Sequence, residues 1–182
     1  MEKKNFKSQI HLACSNDELR PVLNYIFFED GYAVATDAHI LIKQKLELHD
    51  FSDEEIEQMN GKALHGSKFK DILKYHHVQI KEGKIHCLNK KGVSFEFDFD
   101  DVSDMKFVNY QAVIPTSKDV TEISEIAVSS ILISKVQKLV VNDAPGKSIV
   151  LRLHGANKSI LMRSCGKTLE EEMILLMPTM IN

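Results

Sequence analysis

Cysteine is scarce and unpatterned: Cys14, Cys87 and Cys165 make an odd count with no Cys-x-x-Cys spacing. That suits a reduced, cytoplasmic chain rather than a disulfide scaffold. The eight histidines contain no His-Glu-x-x-His, so a zinc site has no basis in the sequence. The eight glycines never gather into a phosphate-cradling loop, which leaves nucleotide enzymology without a foothold. No run approaches the ~20 apolar residues of a membrane span. The charged start MEKKNFKSQ leads into no apolar signal segment. A basic excess is missing too: 23 Lys and Arg face 26 Asp and Glu, for a formal charge of −3. Contact with nucleic acid would therefore need a local basic face on an acidic body. What is present is 182 residues with 43% hydrophobic content, enough for a packed core in one domain or two small ones.

The dominant period is two. Residues 24–30 (NYIFFED) and 32–43 (YAVATDAHILIK) read as strands around the turn Glu29-Asp30-Gly31. Segments 78–81, 84–88 and 93–99 continue the pattern, with turns at Lys81-Glu82-Gly83 and Asn89-Lys90-Lys91-Gly92. In the last of these, Phe95, Phe97 and Phe99 alternate with Glu96, Asp98 and Asp100, as expected of a sheet with one wet face. Residues 148–153, 159–163 and 173–177 read as three further strands. Helical spacing is confined to 52–59, where Ser52 and Glu55 form a capping-box pair, and to 67–75 and 129–141. The segment 142–146 (NDAPG) stops the last helix. Residues 61–100 and 125–177 each read as strand, helix and three strands. An α+β fold follows: antiparallel sheets with two helices on one face, built from a repeated unit. The expected joint lies at 115–121, dividing 1–115 from 122–182.

Few constellations carry chemistry. Asp37 and His39, two apart on one expected strand, could face the same way as an acid–base pair, but no nucleophile with a local signature accompanies them. Glu96, Asp98 and Asp100, with Asp101, could hold a hard cation, yet a solvated strand face explains them equally. No enzyme activity, metal or cofactor is expected. Lys68, Lys70 and Lys74 on one helix, with Lys135 and Lys138 on the other and Lys147 beyond it, would form a basic strip if the helices lie side by side. Such a strip suits sequence-independent phosphate contact, although lysines on a wet face can also be merely solubilising. The ending MILLMPTMIN is apolar almost to its last residue, where chain ends are ordinarily polar.

Four stretches resemble the bacterial replicative sliding clamp, the beta subunit of DNA polymerase III. Residues 16–29 (NDELRPVLNYIFFE) resemble its D-E-L-R-P-V segment, and 34–41 (VATDAHIL) resemble VATDGHRL. Residues 107–115 (FVNYQAVIP) are similar to FPDYxxVIP, and the ending LLMPTMIN to a terminal MPM-type sequence. The order is that of the family, over most of residues 9–182. Ala38 stands where the family has glycine, Ile40 where it has arginine and Val108 where it has proline.

The resemblance implies a clamp-like fold and a processivity or accessory factor for DNA polymerase. Family members are longer, with three similar domains in a head-to-tail dimeric ring, so a shorter chain would need to form a homo-oligomer to surround duplex DNA. Carried over by position, Thr36, His39, Leu41, Val108, Val113, Met177, Thr179 and Ile181 would line a groove for short peptide motifs of the polymerase or other clamp-binding proteins. Ile40 in place of arginine would make that groove more apolar. Lys68, Lys70, Lys74, Lys135 and Lys138 would contact double-stranded DNA. The alternative is a decoy or adaptor that takes the same peptides without touching DNA.

Overall fold

A computed structural model describes residues 4–116, 123, 125–141 and 148–180. Residues 117–121 of the expected joint, the helix stop at 142–146, Lys147 and Ile181 lie outside the described residues. Thirteen elements follow in chain order: β1 (Tyr25–Glu29), β2 (Tyr32–Thr36), β3 (Ile40–Lys45), α1 (Asp53–Met59), β4 (Lys62–His65), α2 (Gly66–Ile72), β5 (His77–Lys81), β6 (Lys84–Leu88), β7 (Ser94–Asp98), α3 (Ser130–Leu139), β8 (Ile149–Arg152), β9 (Ile160–Ser164) and β10 (Glu172–Leu176). The α+β expectation holds, with antiparallel sheets and three helices among the described residues. In place of the strand expected to open the unit at 125–177, the described residues before α3 show an isolated bridge, Ala127 to Thr179.

Turn chemistry sets the hairpins. Asp30 and Gly31 join β1 to β2 with φ of 50° and 80°, and Glu82 and Gly83 join β5 to β6 with 53° and 73°. Two successive positive φ values match the right-handed twist of the flanking strands. The α1 start is as the sequence indicates: Ser52 Oγ accepts from the Glu55 amide at 3.3 Å, and Glu55 Oε2 accepts from the Ser52 amide at 2.9 Å. A further strand position departs from expectation. The run 32–43 is not one strand but two, broken at residues 37–39, because Asp37 Oδ1 accepts from the His39 and Ile40 amides (2.9 and 2.8 Å) and folds the backbone back. The pair Asp37 and His39 therefore sits on a turn, not on one strand face.

Seven strands form one sheet in the order β4-β1-β2-β3-β10-β9-β8, and β5-β6-β7 form a second. The larger sheet crosses from one half of the chain to the other, because β3 pairs with β10 over five residues, Gln44↔Glu172 through Ile40↔Leu176. One face of it carries the main core, where Ile26, Phe28, Ile42, Ile160 and Ile174 meet Phe69 and Ile72 of α2 and Val136 and Leu139 of α3. The two helices flank the 3-10 turn Ile10–Ala13 and so lie on that one face. The opposite face carries a smaller cluster of Val34, Leu41, Leu161, Met173 and Leu175 beneath Tyr110.

The β7 alternation is only partly realised. Phe97 and Phe99 are half-buried, but Phe95 is 42% exposed, because β7 is the outermost strand and nothing described covers its far side. On its wet face Glu96 and Asp98 lie 3.7 Å from Lys84, and Glu96 lies 3.4 Å from His86. Asp100 leaves this face to pair with Lys68 and to accept from the His65 amide at 2.7 Å. The three carboxylates thus diverge, and among the described residues no cluster suits a metal ion. No helix among them is long and apolar enough to cross a membrane.

Candidate functional site

A cleft of about 570 Å³ opens on the sheet face opposite the helices. Its floor is made by Leu41 of β3 and Leu175 of β10, which are paired neighbours in the ladder. One wall is the segment 19–23, from Leu19 to Leu23, and the other is formed by Met105, Val108, Tyr110 and Val113. The turn from Thr36 to Ile40 closes one end beside Met177, whose amide donates to His39 O at 2.9 Å.

Local chemistry fixes these walls. Phe107 stacks on Phe27 with ring centroids 4.3 Å apart, and Tyr110 OH donates to Glu29 Oε1 at 3.0 Å. Burial and the neighbouring Glu29 carboxylate push the Tyr110 phenol above its ordinary pKa, so it stays a hydrogen-bond donor at any working pH. At the rim Arg20 is held by Asp17 at 2.9 Å, while Lys106 and His39 are exposed. The cleft is therefore apolar inside with a polar edge, the form that takes aliphatic or aromatic anchors from an extended chain.

Of the eight positions carried over from the resemblance, the structure brings six around this cleft: Thr36, His39, Leu41, Val108, Val113 and Met177. Thr179 is not among the lining residues; its amide donates to Ala127 O at 2.8 Å, which ties it to the segment before α3. Ile40 is among the residues around the cleft, but it is fully buried and packs into the helix-side core, so it adds little exposed apolar surface there. Leu19, Arg20, Pro21, Leu23, Met105 and Tyr110 line the cleft without having been singled out, although their segments lie within or beside the quoted motifs.

The end turn carries strain that a substitution can read. Ala38 has φ of 75°, a region where a Cβ costs about 1 kcal/mol. Thr36 Oγ1 and the Asp37 carboxylate enforce it through the amides of residues 38–40. Ala38→Gly is expected to stabilise the chain by roughly 0.5–1 kcal/mol, read as a rise of about 1–4 °C in thermal unfolding. An unchanged or lower midpoint would show that the turn is unstrained. Asp37 is not poised as a base, since its Oδ2 accepts from Lys135 at 3.2 Å and its Oδ1 from two amides.

The five lysines lie on the helix face, across the sheet from the cleft, but they do not form a uniform basic strip. Lys68 is paired with Asp100, Lys135 with Asp37, and Lys74 with Asp71 at 2.6 Å. Lys70 and Lys138 are exposed and make no ion pair among the described residues. Cys14, beside Lys135 and packed against Gly66, is pushed by burial to a pKa of about 12 and is not a nucleophile.

No protein-family model matches the sequence, and no curated protein does either; the likeness is to solved structures. A Bacillus subtilis DNA polymerase sliding clamp superposes with a TM-score of 0.62 at 15% identity, over 96% of this chain and 61% of that one. A Bartonella birtlesii sliding clamp bound to griselimycin gives 0.56 at 17% identity, over 97% and 63%. A Helicobacter pylori beta clamp bound to a DNA ligase peptide gives 0.61 at 14% identity, over 95% and 62%. The chain thus spans a little over three fifths of the length of these clamps. At such identities the likeness is one of fold: the chain has the fold of the bacterial DNA polymerase III beta sliding clamp.

Proposed function

We propose that this protein is a clamp-type accessory factor of DNA replication, with no catalytic chemistry of its own. Short peptide segments of a polymerase or another DNA-handling enzyme dock in the cleft, and self-associated copies hold duplex DNA against the helix face. The observation that carries this reading is the cleft, an apolar groove assembled from six positions that the clamp resemblance assigns to peptide binding. Two solved proteins of the same fold hold a DNA ligase peptide and griselimycin. Non-specific contacts from Lys70 and Lys138 would be weak individually, which suits movement along the duplex.

A second reading is favoured by the ion pairs. With Lys68, Lys74 and Lys135 each facing a carboxylate, the helix face offers little net charge, and the protein acts as a peptide-capturing decoy or adaptor without DNA. Two titrations separate these readings. The labelled DNA ligase peptide that the Helicobacter pylori clamp binds is expected to bind saturably. Val113→Asp, a change at an exposed cleft position, should weaken it about thirtyfold, the size of a 2 kcal/mol anchor. Equal affinity for both proteins would remove the cleft from the proposal. A labelled duplex tests the face: Lys70→Ala with Lys138→Ala should reduce the salt slope by about two units, whereas a decoy binds no duplex at all.

A further inference from the structure

Side chains within a strand point to one face of the sheet or the other. Asp37 escapes that choice, because it follows the last residue of β2 and precedes β3, where the pairing of the two strands ends. Its carboxylate is therefore reached from both sides. Toward the cleft, Oδ1 accepts from the amides of His39 and Ile40 at 2.9 and 2.8 Å. From the helix side, Lys135 of α3 donates to Oδ2 at 3.2 Å. The Asp37 side chain is 15% exposed and that of Lys135 25%, so solvent and salt screen the pair less than a surface one.

The turn that Asp37 holds is strained at Ala38, whose φ is 75°. His39 comes next, and it both lines the cleft and accepts the Met177 amide on its carbonyl at 2.9 Å. A carboxylate free to swing away lets residue 38 relax toward negative φ, which moves His39 and the Met177 contact with it. On the helix side Lys135 also lines a hollow of about 470 Å³ between α2 and α3, together with Lys70 and Ser67. No carboxylate is among the residues lining that hollow, and Lys70 makes no ion pair among the described residues. An anion on this face is drawn to both ammonium groups. It is repelled by Asp37, so it competes for Lys135 rather than sharing it. The existing contact is open to such exchange, being longer than the roughly 2.7–2.9 Å of a tight charge-assisted bond.

We propose that Lys135 is a positioning residue shared by the two faces. Paired with Asp37 it holds the end turn that shapes the cleft; drawn to a phosphate of duplex DNA it lets that turn go. Peptide and duplex then weaken one another by the same factor, since coupling between two binding sites is reciprocal. The factor is about fivefold, the low end for coupled sites, because one exchanged ion pair carries it. A copy seated on duplex thus holds its peptide less tightly, and a peptide-loaded copy leaves duplex more readily. This coupling rests on the binding roles proposed above for the cleft and the helix face.

Titration of the full chain with the labelled DNA ligase peptide, with and without short unlabelled duplex, tests it. In the wild type, duplex should raise the peptide Kd about fivefold and then have no further effect once it saturates, unlike direct competition. Lys135→Met should bind the peptide about fivefold more weakly without DNA, and duplex should change nothing more. Lys135→Arg restores the charge and should restore both the affinity and the response to duplex. In Ala38→Gly the turn no longer stores strain, so the ratio of the two Kd values should fall toward one. Wild type that binds both ligands with an unchanged peptide Kd overturns the coupling and leaves both faces standing. A Kd that rises without limit, or a Lys135→Met protein that responds to duplex as the wild type does, overturns it as well. A protein that binds no peptide fails the reading of the cleft, one that binds no duplex fails that of the helix face, and the coupling falls with either.

Discussion

Glu172→Gln is expected to destabilise the protein by about 3 kcal/mol and to lower its unfolding midpoint by roughly 6–12 °C. Glu172 is completely buried on β10 and sits among donors rather than cations. Its Oε1 accepts from Gln44 Nε2 at 2.8 Å and from the Val141 amide at 2.7 Å. Its Oε2 accepts from the Ser164 amide at 2.7 Å and the Ser164 hydroxyl at 2.5 Å. Gln44 passes the network on, donating to Leu139 O at 2.7 Å and accepting from Ser8 Oγ at 2.6 Å. One carboxylate thereby ties the end of α3, two strands and the N-terminal segment together. A glutamine of the same shape has one accepting oxygen and places an NH2 group against donors, leaving a buried amide unsatisfied. Thermal unfolding followed by circular dichroism reads the effect, and a shift under about 2 °C would mean that the network is dispensable.

The second large effect is on acid stability. His49 is fully buried against the Phe6 ring, 5.5 Å away between centroids, with Nδ1 accepting from the Lys7 amide at 2.9 Å. Burial, with Lys7 nearby, holds its pKa down to about 3, against an ordinary 6.5. The unfolded chain therefore takes up a proton that the folded one refuses. Stability is complete above pH 6.5 and is lost as pH falls from there toward 3, by about 2 kcal/mol at pH 5 and about 3 kcal/mol at pH 4. Denaturant midpoints measured between pH 8 and 4 should fall accordingly. His49→Gln, which keeps an acceptor for the Lys7 amide, should flatten that slope. An equal slope in both proteins would assign acid sensitivity to other groups.

Most of the strands are legible from alternation, and α1 from its capping box, because those signals lie within a few residues of each other. The turn at residues 37–39 is hidden in an apolar run, and its cue is the position where the clamps carry glycine and this chain has Ala38. The ion pairs are invisible for a different reason. Lys68 meets Asp100 across 32 residues and Lys135 meets Asp37 across 98, so helix periodicity shows the cations and nothing of what neutralises them. Likewise the cleft is not a sequence pattern. Its floor joins Leu41 to Leu175, and only the clamp resemblance places the two ends of the chain at one groove.

The ladder between β3 and β10 has a consequence for how the chain is made. It closes a separation of 128 residues between Gln44 and Glu172, so it is the contact that loop-closure entropy delays most. During synthesis β3 is complete long before its partner exists. At ordinary ribosomal speed the interval is roughly 6–25 s. Throughout it the first half of the chain presents Leu41 and Ile42 along an unpaired edge, making the nascent protein a natural client for chaperones until its last strand arrives.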